Sequence, residues 1–389
     1  MRGRIRSRLL LMLLGLLLPV LGIECGLRAF GPALAQYGYV GLDARRNLSY
    51  FELHPVLGGF HVPNSTTWQW TMEYVTRVDI NAHGLREREI EYQKPPGLWR
   101  ILVLGDSFVE AAEVMAEDSM PRRLEAALNE GVGPPVQVIN AGVVGYGTAQ
   151  EYLLLQQEGV RYQPDVVVLV FFSGNDVTDN GWSLDFPYLR PIKPYFEVDG
   201  SGQLRQRSFT LPDLSATQPG PLRRWLRRES LLFGKLDGDE LGKVTRNADY
   251  IRAIVAPYAA APSPEVDASW QVTEALIRAV RDQTEASGAR FVLVNVPAPW
   301  EIDPPFWERM RTYFGLPADG WDVDQPNRRL AEIVARQGFT YLDLRPDLRA
   351  AVAAGQRPGP YFQIDGHWTR AGHELAGRSI AQSGFVSAR

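Results

Sequence analysis

One serine and one aspartate–histidine pair in this chain have the residue types that covalent acyl-transfer chemistry needs. Ser107 follows an apolar run that ends on Gly105, so a short strand and a tight turn would bring its hydroxyl to the rim of a sheet. Near the C-terminus, only Gly366 separates Asp365 from His367. A serine hydroxyl is a weak nucleophile that needs a base and a group to orient that base. We predict Ser107 as the nucleophile, His367 as the base and Asp365 as its partner.

Two further residues could stabilise the negative charge that forms when a hydroxyl attacks an ester carbonyl. Gly145 lies in a glycine-rich loop after the second apolar run, where its N–H can face a substrate with no side chain in the way. Asn175 follows the very apolar run 166–172 and offers an amide donor. With the N–H of Ser107, these groups form the predicted oxyanion hole. Taken alone, each loop is equally well explained as an ordinary turn.

The chain also contains a competing base and a competing acid. His373 lies in the segment 370–376, whose pattern predicts a helix, so we interpret it as a helix-face residue and favour His367 as the base. Asp106 is adjacent to the predicted nucleophile. We expect Asp106 to make structural hydrogen bonds rather than to act as a second base.

From residue 100 onward, apolar runs alternate with helical patterns, which is typical of a parallel sheet with crossover helices. The predicted strands are 101–104, 136–140, 166–172, 291–295 and 340–344, and the predicted helices are 121–130, 148–158, 268–286, 327–336 and 370–381. The predicted fold class is α/β: a three-layer α/β/α sandwich around a mainly parallel five-stranded sheet, as in flavodoxin-like folds. Right-handed crossovers would place the C-terminal ends of the strands, and the motifs that follow them, at one edge.

The remaining segments define the predicted domain organisation. Residues 37–98 alternate polar and apolar residues and contain turn signals, which predicts a small antiparallel extension packed on the main domain 99–389. The α/β alternation lapses at about 179–269, which indicates an insertion. Within it, the basic pattern 222–228 could form an amphipathic helix that touches lipid head groups. We favour a solvated helix that covers the rim of the site.

These motifs, in this order, resemble the SGNH, or GDSL, hydrolase superfamily. Gly105-Asp106-Ser107 matches its first block, Gly145 its second, Gly174-Asn175-Asp176 its third, and Asp365 with His367 its last. The resemblance extends from about residue 100 to the C-terminus, apart from the insertion. It implies an SGNH-type fold and, for these residues, the roles of nucleophile, base, base partner and oxyanion hole.

The chain departs from the pattern of that superfamily at two positions. Ser173 replaces the usual first glycine of the third block, which affects the loop but keeps Asn175 in place. One residue rather than two separates Asp365 from His367. The shorter spacing is similar to members that modify bacterial cell-surface polysaccharides by O-acetyl transfer.

Composition and missing motifs exclude several other functions. The formal net charge of -4 provides no basic field, so we expect no nucleic-acid partner. No Gly-x-Ser-x-Gly elbow or His-Glu-x-x-His motif occurs, and the glycines at 142–147 are wrongly spaced for a dinucleotide loop. We therefore predict no cofactor and no metal. Asp176, Asp179 and Asn180 are expected to form a solvated acidic turn rather than a cation site.

The N-terminus predicts export to, or through, a membrane. Four arginines within residues 2–8 precede the apolar stretch Leu9–Ile23. This pattern predicts that the N-terminus stays in the cytoplasm and that the rest of the chain is moved across the membrane. Residues 1–36 are a signal-anchor or a cleaved signal peptide. We favour the anchor because the small-residue site at 33–35 lies far from the apolar stretch. The expected location is the inner membrane with the catalytic domain facing the periplasm or exterior, or secretion after cleavage.

Three functions follow from these residues. The leading hypothesis is a serine esterase that hydrolyses or transfers small acyl esters, with O-acetyl groups on carbohydrate as the expected substrate. The second is a non-catalytic carbohydrate-binding or assembly component of a cell-envelope polysaccharide complex, although every catalytic residue type is present. The third is a lipase-like esterase. The membrane anchor favours this function, whereas the sequence shows no long apolar groove for an acyl chain. Protein partners and oligomeric state are not indicated by the sequence.

Overall fold

The computed structural model describes residues 2–35, 50–71, 73–131, 133–187, 189–211, 220–230, 232–233 and 248–388. Parts of the predicted extension (37–49) and of the predicted insertion (212–219 and 234–247) lie outside these ranges. The strands are β1 (Phe51–His54), β2 (Gly58–His61), β3 (Thr66–Trp70), β4 (Val75–Asp79), β5 (Trp99–Gly105), β6 (Val136–Gly142), β7 (Val166–Phe172), β8 (Phe196–Val198), β9 (Leu204–Gln206), β10 (Arg290–Val296) and β11 (Tyr341–Asp343). The helices of more than three residues with α geometry are α1 (Arg2–Ala35), α2 (Ser107–Glu110), α3 (Met120–Asn129), α4 (Thr148–Gln157), α5 (Asp176–Asn180), α6 (Pro221–Glu229), α7 (Ala248–Val255), α8 (Pro264–Ala286), α9 (Pro299–Ile302), α10 (Pro304–Tyr313), α11 (Gln325–Gln337), α12 (Arg345–Ala353) and α13 (Arg370–Gln382).

Five strands form the central sheet, in the order β11-β10-β7-β5-β6, and every pairing is parallel. The predicted fold class and the five predicted strands are confirmed. Because β5 lies between β7 and β6, the residue that follows β5 is flanked by the loops that follow its two neighbours. Ser107 follows β5, Gly145 follows β6 and Asn175 follows β7. The sheet order therefore places the predicted nucleophile between the two predicted oxyanion donors.

Both faces of the sheet are buried beneath helices, as the three-layer prediction requires. Leu102 and Leu104 of β5 point to one apolar cluster, which includes side chains of α4, α8 and α11. Ile101 and Val103 point to the other, which includes side chains of α3, α12 and α13. Successive side chains of a strand face opposite sides, so a strand covered on both sides is apolar throughout. This is why these strands are continuous apolar runs in the sequence.

Two antiparallel hairpins, β1-β2 and β3-β4, lie within residues 50–98. Thr71 begins the turn of the β3-β4 hairpin. The Thr71 hydroxyl accepts hydrogen bonds from the N–H groups of Glu73 and Tyr74, both at 3.2 Å. This turn reverses the chain between β3 and β4.

The inserted region contains the short hairpin β8-β9 and the helices α6 and α7. Helix α8 begins at Pro264, four residues before the predicted start, because Ser263 caps it by accepting from the Val266 N–H. The predicted basic helix is present as α6, with Leu222 and Trp225 exposed. The chain just after α6 contacts α1, where Glu24 accepts hydrogen bonds from Ser230 and from the N–H of Leu232.

Within the described residues, one helix is long and apolar enough to cross a membrane. The candidate span in α1 runs from Arg6 to Phe30, 25 residues, and an 18-residue window within it has a mean hydropathy of 2.3. It is longer than the apolar stretch Leu9–Ile23 because Leu27 and Phe30 continue the apolar character past Glu24. A bilayer core needs about 20 residues of helix. A signal sequence meets the same criterion.

Candidate active site

The structure brings the three predicted catalytic side chains into one hydrogen-bonded chain. Ser107 Oγ lies 2.7 Å from His367 Nε2, and His367 Nδ1 lies 2.5 Å from Asp365 Oδ1. Ser107 and His367 are 260 positions apart in the sequence, yet their contact lies within normal hydrogen-bonding distance. The Ser107 side chain is almost buried, whereas the imidazole keeps 21% of its surface exposed. A substrate can therefore approach the serine from the side of the histidine.

Ser107 is the first residue of α2, a single helical turn that follows β5 directly. Asp106 caps this turn by accepting a hydrogen bond from the Phe108 N–H at 2.9 Å, so the expected structural role of Asp106 agrees with the geometry. The first N–H groups of a helix have no partner within the helix. The Ser107 N–H is one of them, and it is therefore available as an oxyanion donor.

The loop that carries Asp365 and His367 is closed by an isolated bridge between Tyr361 and Trp368. The Tyr361 hydroxyl donates to the Pro297 carbonyl at 2.6 Å, which ties the loop to the chain just after β10. Trp368 is fully buried and packs edge-on against Phe108, with ring centroids 5.0 Å apart. Thus the residue after the nucleophile and the residue after the base hold each other in place.

The predicted oxyanion donors occupy the two loops beside Ser107. Gly145 is exposed and has a φ of +75°, a conformation that residues with a Cβ rarely adopt. No hydrogen bond from its N–H is found within the described part of the chain. Asn175 is the N-cap residue of α5, and its Oδ1 is buried without a hydrogen-bond partner among the described residues. Each loop thus has a polar group without a hydrogen-bond partner among the described residues.

A family model described as the GDSL-like lipase/acylhydrolase family matches residues 103–375. This match covers the central sheet from within β5 and all four motif blocks. The chain belongs to the SGNH/GDSL hydrolases. It is accordingly a serine hydrolase of the esterase type, as the sequence motifs predicted.

Solved structures of several esterases are similar to this GDSL hydrolase. A putative GDSL-family lipolytic protein from Desulfitobacterium hafniense has 11% identity and a TM-score of 0.35, covering 73% of this chain and 98% of its own. An acetylxylan esterase from Geobacillus stearothermophilus has 13% identity and a TM-score of 0.39, with coverages of 75% and 95%. A lipase/acylhydrolase from Enterococcus faecalis has 15% identity and a TM-score of 0.37, with coverages of 74% and 95%. No curated protein matches the chain.

In this GDSL hydrolase, the loop of Gly145 after β6 contacts a buried carboxylate, Glu110. Its side chain accepts hydrogen bonds from the Tyr50 hydroxyl and from the Val144 N–H, both at 2.5 Å, and the His61 imidazole lies 3.3 Å away. Burial opposes ionisation of Glu110, but His61 and these hydrogen bonds outweigh it and lower the pKa of the carboxyl. Nothing in the sequence marks Glu110, because its partners lie in the extension and in the loop of Gly145.

His373 does not contact the nucleophile. It is fully buried in α13, where its Nδ1 accepts from the Met120 N–H at 3.2 Å and its Nε2 lies 3.3 Å from Glu113. Burial lowers the pKa of His373, which favours the neutral ring. The interpretation of His373 as a helix-face residue agrees with this placement.

Ser173, which replaces the usual glycine of the third block, connects the loop of Asn175 to a buried acid. Its hydroxyl lies 2.7 Å from Glu301, which also accepts hydrogen bonds from the Tyr258 hydroxyl and the Asn327 amide. Burial raises the pKa of Glu301 to about 7 against these hydrogen bonds. The substitution therefore adds a contact that fixes the loop of Asn175 to α9.

The prediction of a solvated acidic turn at 176–180 is wrong. Asp176, Asp179 and Asn180 are buried in α5, beneath the site. Asp179 forms an ion pair with Lys193 at 3.0 Å, and Asp176 accepts from the Phe172 N–H at 2.9 Å. For Asp179 the reason is Lys193, which comes from the insertion and supplies the charge that pairs with this buried carboxylate. Burial nevertheless raises the pKa of Asp176 well above its ordinary value.

Proposed function

We propose that the protein removes small acyl groups, in particular O-acetyl groups, from carbohydrate with Ser107 as nucleophile, His367 as general base and Asp365 as its orienting partner. The observation that carries this proposal is the continuous contact from Ser107 Oγ through both ring nitrogens of His367 to Asp365. The family contributes the reaction class, ester hydrolysis by a serine. This geometry supports the proposed residue roles.

The reaction proceeds in two halves. Ser107 Oγ attacks the ester carbonyl carbon while His367 Nε2 takes the hydroxyl proton, and the carbonyl oxygen becomes an oxyanion held by the N–H groups of Ser107 and Gly145 and the amide of Asn175. When the intermediate collapses, the bond to the sugar oxygen breaks and His367 gives its proton to that oxygen. A water molecule then attacks the acyl-enzyme with the same base, releasing the acid and restoring Ser107.

A cavity of about 280 Å³ beside the loop of Asp365 supports a carbohydrate as the alcohol part of the ester. Asp303, Arg357 and Gln363 line it with groups that can bind sugar hydroxyls, and Phe306 offers an aromatic ring for stacking. Tyr361 and Gln363 belong both to this cavity and to the loop that leads to Asp365. Sugars carry both hydroxyls and apolar ring faces, so these polar groups beside an aromatic ring support acetyl–sugar esters as substrates.

The N-terminal helix supports a location at a membrane surface. In this proposal α1 stays uncleaved, with its arginines in the cytoplasm and residues 50–388 on the opposite side. Glu24 lies at the end of the apolar stretch and contacts the chain after α6. The body of the enzyme thus lies close to the point where the chain would leave the bilayer.

Full-length protein in detergent tests the proposal through a fluorophosphonate probe and a substrate series. We expect a covalent adduct on Ser107, acetate release from p-nitrophenyl acetate and from acetylated oligosaccharides, and little turnover of p-nitrophenyl palmitate. Ser107→Ala should lower kcat by about 10⁴-fold or more. Ser201→Ala, in the exposed β8-β9 connection, is the matched control and should behave like the unchanged protein.

The products distinguish the competing outcomes. Free acetate in the presence of an added carbohydrate acceptor indicates hydrolysis, whereas an acetylated acceptor without free acetate indicates transfer. An unlabelled Ser107 together with equal background turnover in the Ser107→Ala protein would overturn the proposal and favour a binding role. A preference for the palmitate ester would overturn only the assignment of carbohydrate as the substrate, and the role of Ser107 would stand.

A further inference from the structure

The turn between β3 and β4 contacts the loop of Asp365 from outside the family-matched region. The Glu73 carboxylate accepts hydrogen bonds from three successive backbone N–H groups, those of Gln363 at 2.7 Å, Ile364 at 3.1 Å and Asp365 at 2.7 Å. Such a row of N–H groups forms a natural site for a carboxylate, and hydrogen bonds to charged acceptors are stronger than neutral ones. Glu73 therefore fixes the backbone that carries Asp365.

Tyr74 acts on the carboxylate of Asp365 itself. Its hydroxyl donates to Asp365 Oδ2 at 3.0 Å, while Asp365 Oδ1 lies 2.5 Å from His367 Nδ1. The Tyr74 ring is nearly buried and packs against Phe362, with centroids 5.2 Å apart. One carboxylate oxygen is thus held by a phenol from the extension, and this sets the orientation in which the other oxygen meets the imidazole.

The same hairpin is fixed on its other side to the chain that follows the nucleophile. The Thr76 hydroxyl donates to the Ala112 carbonyl at 2.5 Å. Arg86, which is buried, donates to the carbonyls of Glu110 and Val114 at 2.8 and 2.7 Å. The extension therefore spans the site, with one end held to the segment after α2 and the other to the loop of Asp365.

We propose that Glu73 and Tyr74 are positioning residues for the reaction, which act through Asp365 to keep His367 aligned with Ser107. Ile364 of the loop 362–365 is exposed, and the polar contacts of Glu73 and Tyr74, with the packing of Phe362 on Tyr74, support the loop on that side. The proposal rests on the proposed function, because it assumes that Asp365 orients the base. Neither residue touches the reacting atoms.

A double-mutant cycle on full-length protein tests the proposal. The proteins are the unchanged enzyme, Tyr74→Phe, Asp365→Ala and the double variant, assayed with p-nitrophenyl acetate. We expect Tyr74→Phe to lower kcat roughly tenfold with KM within about twofold, since only one hydrogen bond to a charged group is lost. In the Asp365→Ala background the same change should have an effect of less than about twofold, because coupled residues are not additive.

A pH profile adds a measurement that a purely structural role would not change. Without the Tyr74 hydroxyl, the Asp365 carboxylate interacts more strongly with the protonated ring of His367. The acid limb of the pH dependence of kcat/KM should therefore move to higher pH in Tyr74→Phe. Glu73→Gln removes the charge from the backbone contact and should also lower kcat. The matched controls are Tyr92→Phe and Glu89→Gln, which make the same changes at hydrogen-bonded positions of the extension that do not contact Asp365.

The possible results separate this inference from the proposed function. Equal effects of Tyr74→Phe in both backgrounds, or an unmoved acid limb with an unchanged kcat, would overturn the positioning role. If the variants also lose thermal stability to the extent that they lose kcat, the role is structural and the inference fails. Full activity of Ser107→Ala would instead overturn the proposed function.

Discussion

His367 Nδ1 and Asp365 Oδ1 lie 2.5 Å apart although only Gly366 separates the two residues. The short spacing is possible because Gly366 has a φ of +82°, which turns the backbone back and brings both side chains to the same side. The Asp365 carboxylate also lies 3.4 Å from the N–H of His367. The spacing that departs from the usual superfamily pattern is thus compatible with a normal aspartate–imidazole contact.

Gly366→Ala should lower kcat at least tenfold while KM and the melting temperature change little. A Cβ at this position would meet only Pro299 at 3.8 Å, so the substitution causes no clash. Its effect is backbone strain of about 1–2 kcal/mol in the left-handed region, which the turn can relieve by moving Asp365 away from the ring. Gly366→Asn is the matched variant, since asparagine tolerates this region better, and it should retain more activity. Equal kcat values for the alanine variant and the unchanged enzyme would contradict the argument.

His367→Ala and His373→Ala should have opposite consequences. Loss of His367 removes the base, so we expect kcat to fall by about 10⁴-fold or more with an unchanged melting curve. Loss of His373 leaves the Met120 N–H and Glu113 without this buried partner, so the free energy of unfolding should fall by about 2–3 kcal/mol while the folded fraction keeps its turnover. Active-site titration with the fluorophosphonate probe and urea unfolding measure the two effects. The reverse result would make His373 the base.

Glu301→Gln should make stability less dependent on pH. The pKa of Glu301 is raised from an ordinary 4.5 to about 7, so the stabilisation from its protonated form is complete below pH 4.5 and is lost as the pH rises through 7. This loss corresponds to roughly 3 kcal/mol. Glutamine stays neutral and fits the site, because its amide can donate toward Ser173 and Tyr258 while its carbonyl accepts from Asn327.

Urea unfolding at pH 4.5 and pH 7.5 measures the difference between the two proteins. Other buried carboxyl groups affect both proteins equally and cancel in the comparison. Glu332→Gln, at an exposed position of α11, is the control and should follow the unchanged protein. Parallel pH curves for Glu301→Gln and the unchanged protein would show that Glu301 is ionised throughout.

The sequence predicts the central sheet well because its strands are covered on both faces. Runs such as 166–172 must be apolar at every position, which is a strong signal in the sequence. The meeting of Ser107 with His367 is also foreseeable, since parallel strands end at one edge and the motif order is specific. The ends of helices and strands were less predictable. The start of α8, for example, is set by a single capping residue, Ser263.

Contacts made by polar residues across long sequence distances could not be predicted. Glu73 and Asp365 are 292 positions apart, and neither the hairpin turn nor the loop carries a pattern that would pair them. Lys193 neutralises Asp179 from inside the insertion, so residues that appear solvated in the sequence are buried in the fold. Such pairs depend on tertiary geometry, whereas periodicity reports only which face of an element is apolar.

The family-matched region begins at residue 103, yet the hairpin that holds the loop of Asp365 ends at residue 79. All the motifs by which such an enzyme is recognised can therefore survive a change that lowers its turnover. Natural variants altered only at Glu73 or Tyr74 would keep an intact set of motif blocks and would still be classed as competent hydrolases. Inheritance of the hairpin, as well as of the motifs, would then set how active each relative of this chain is.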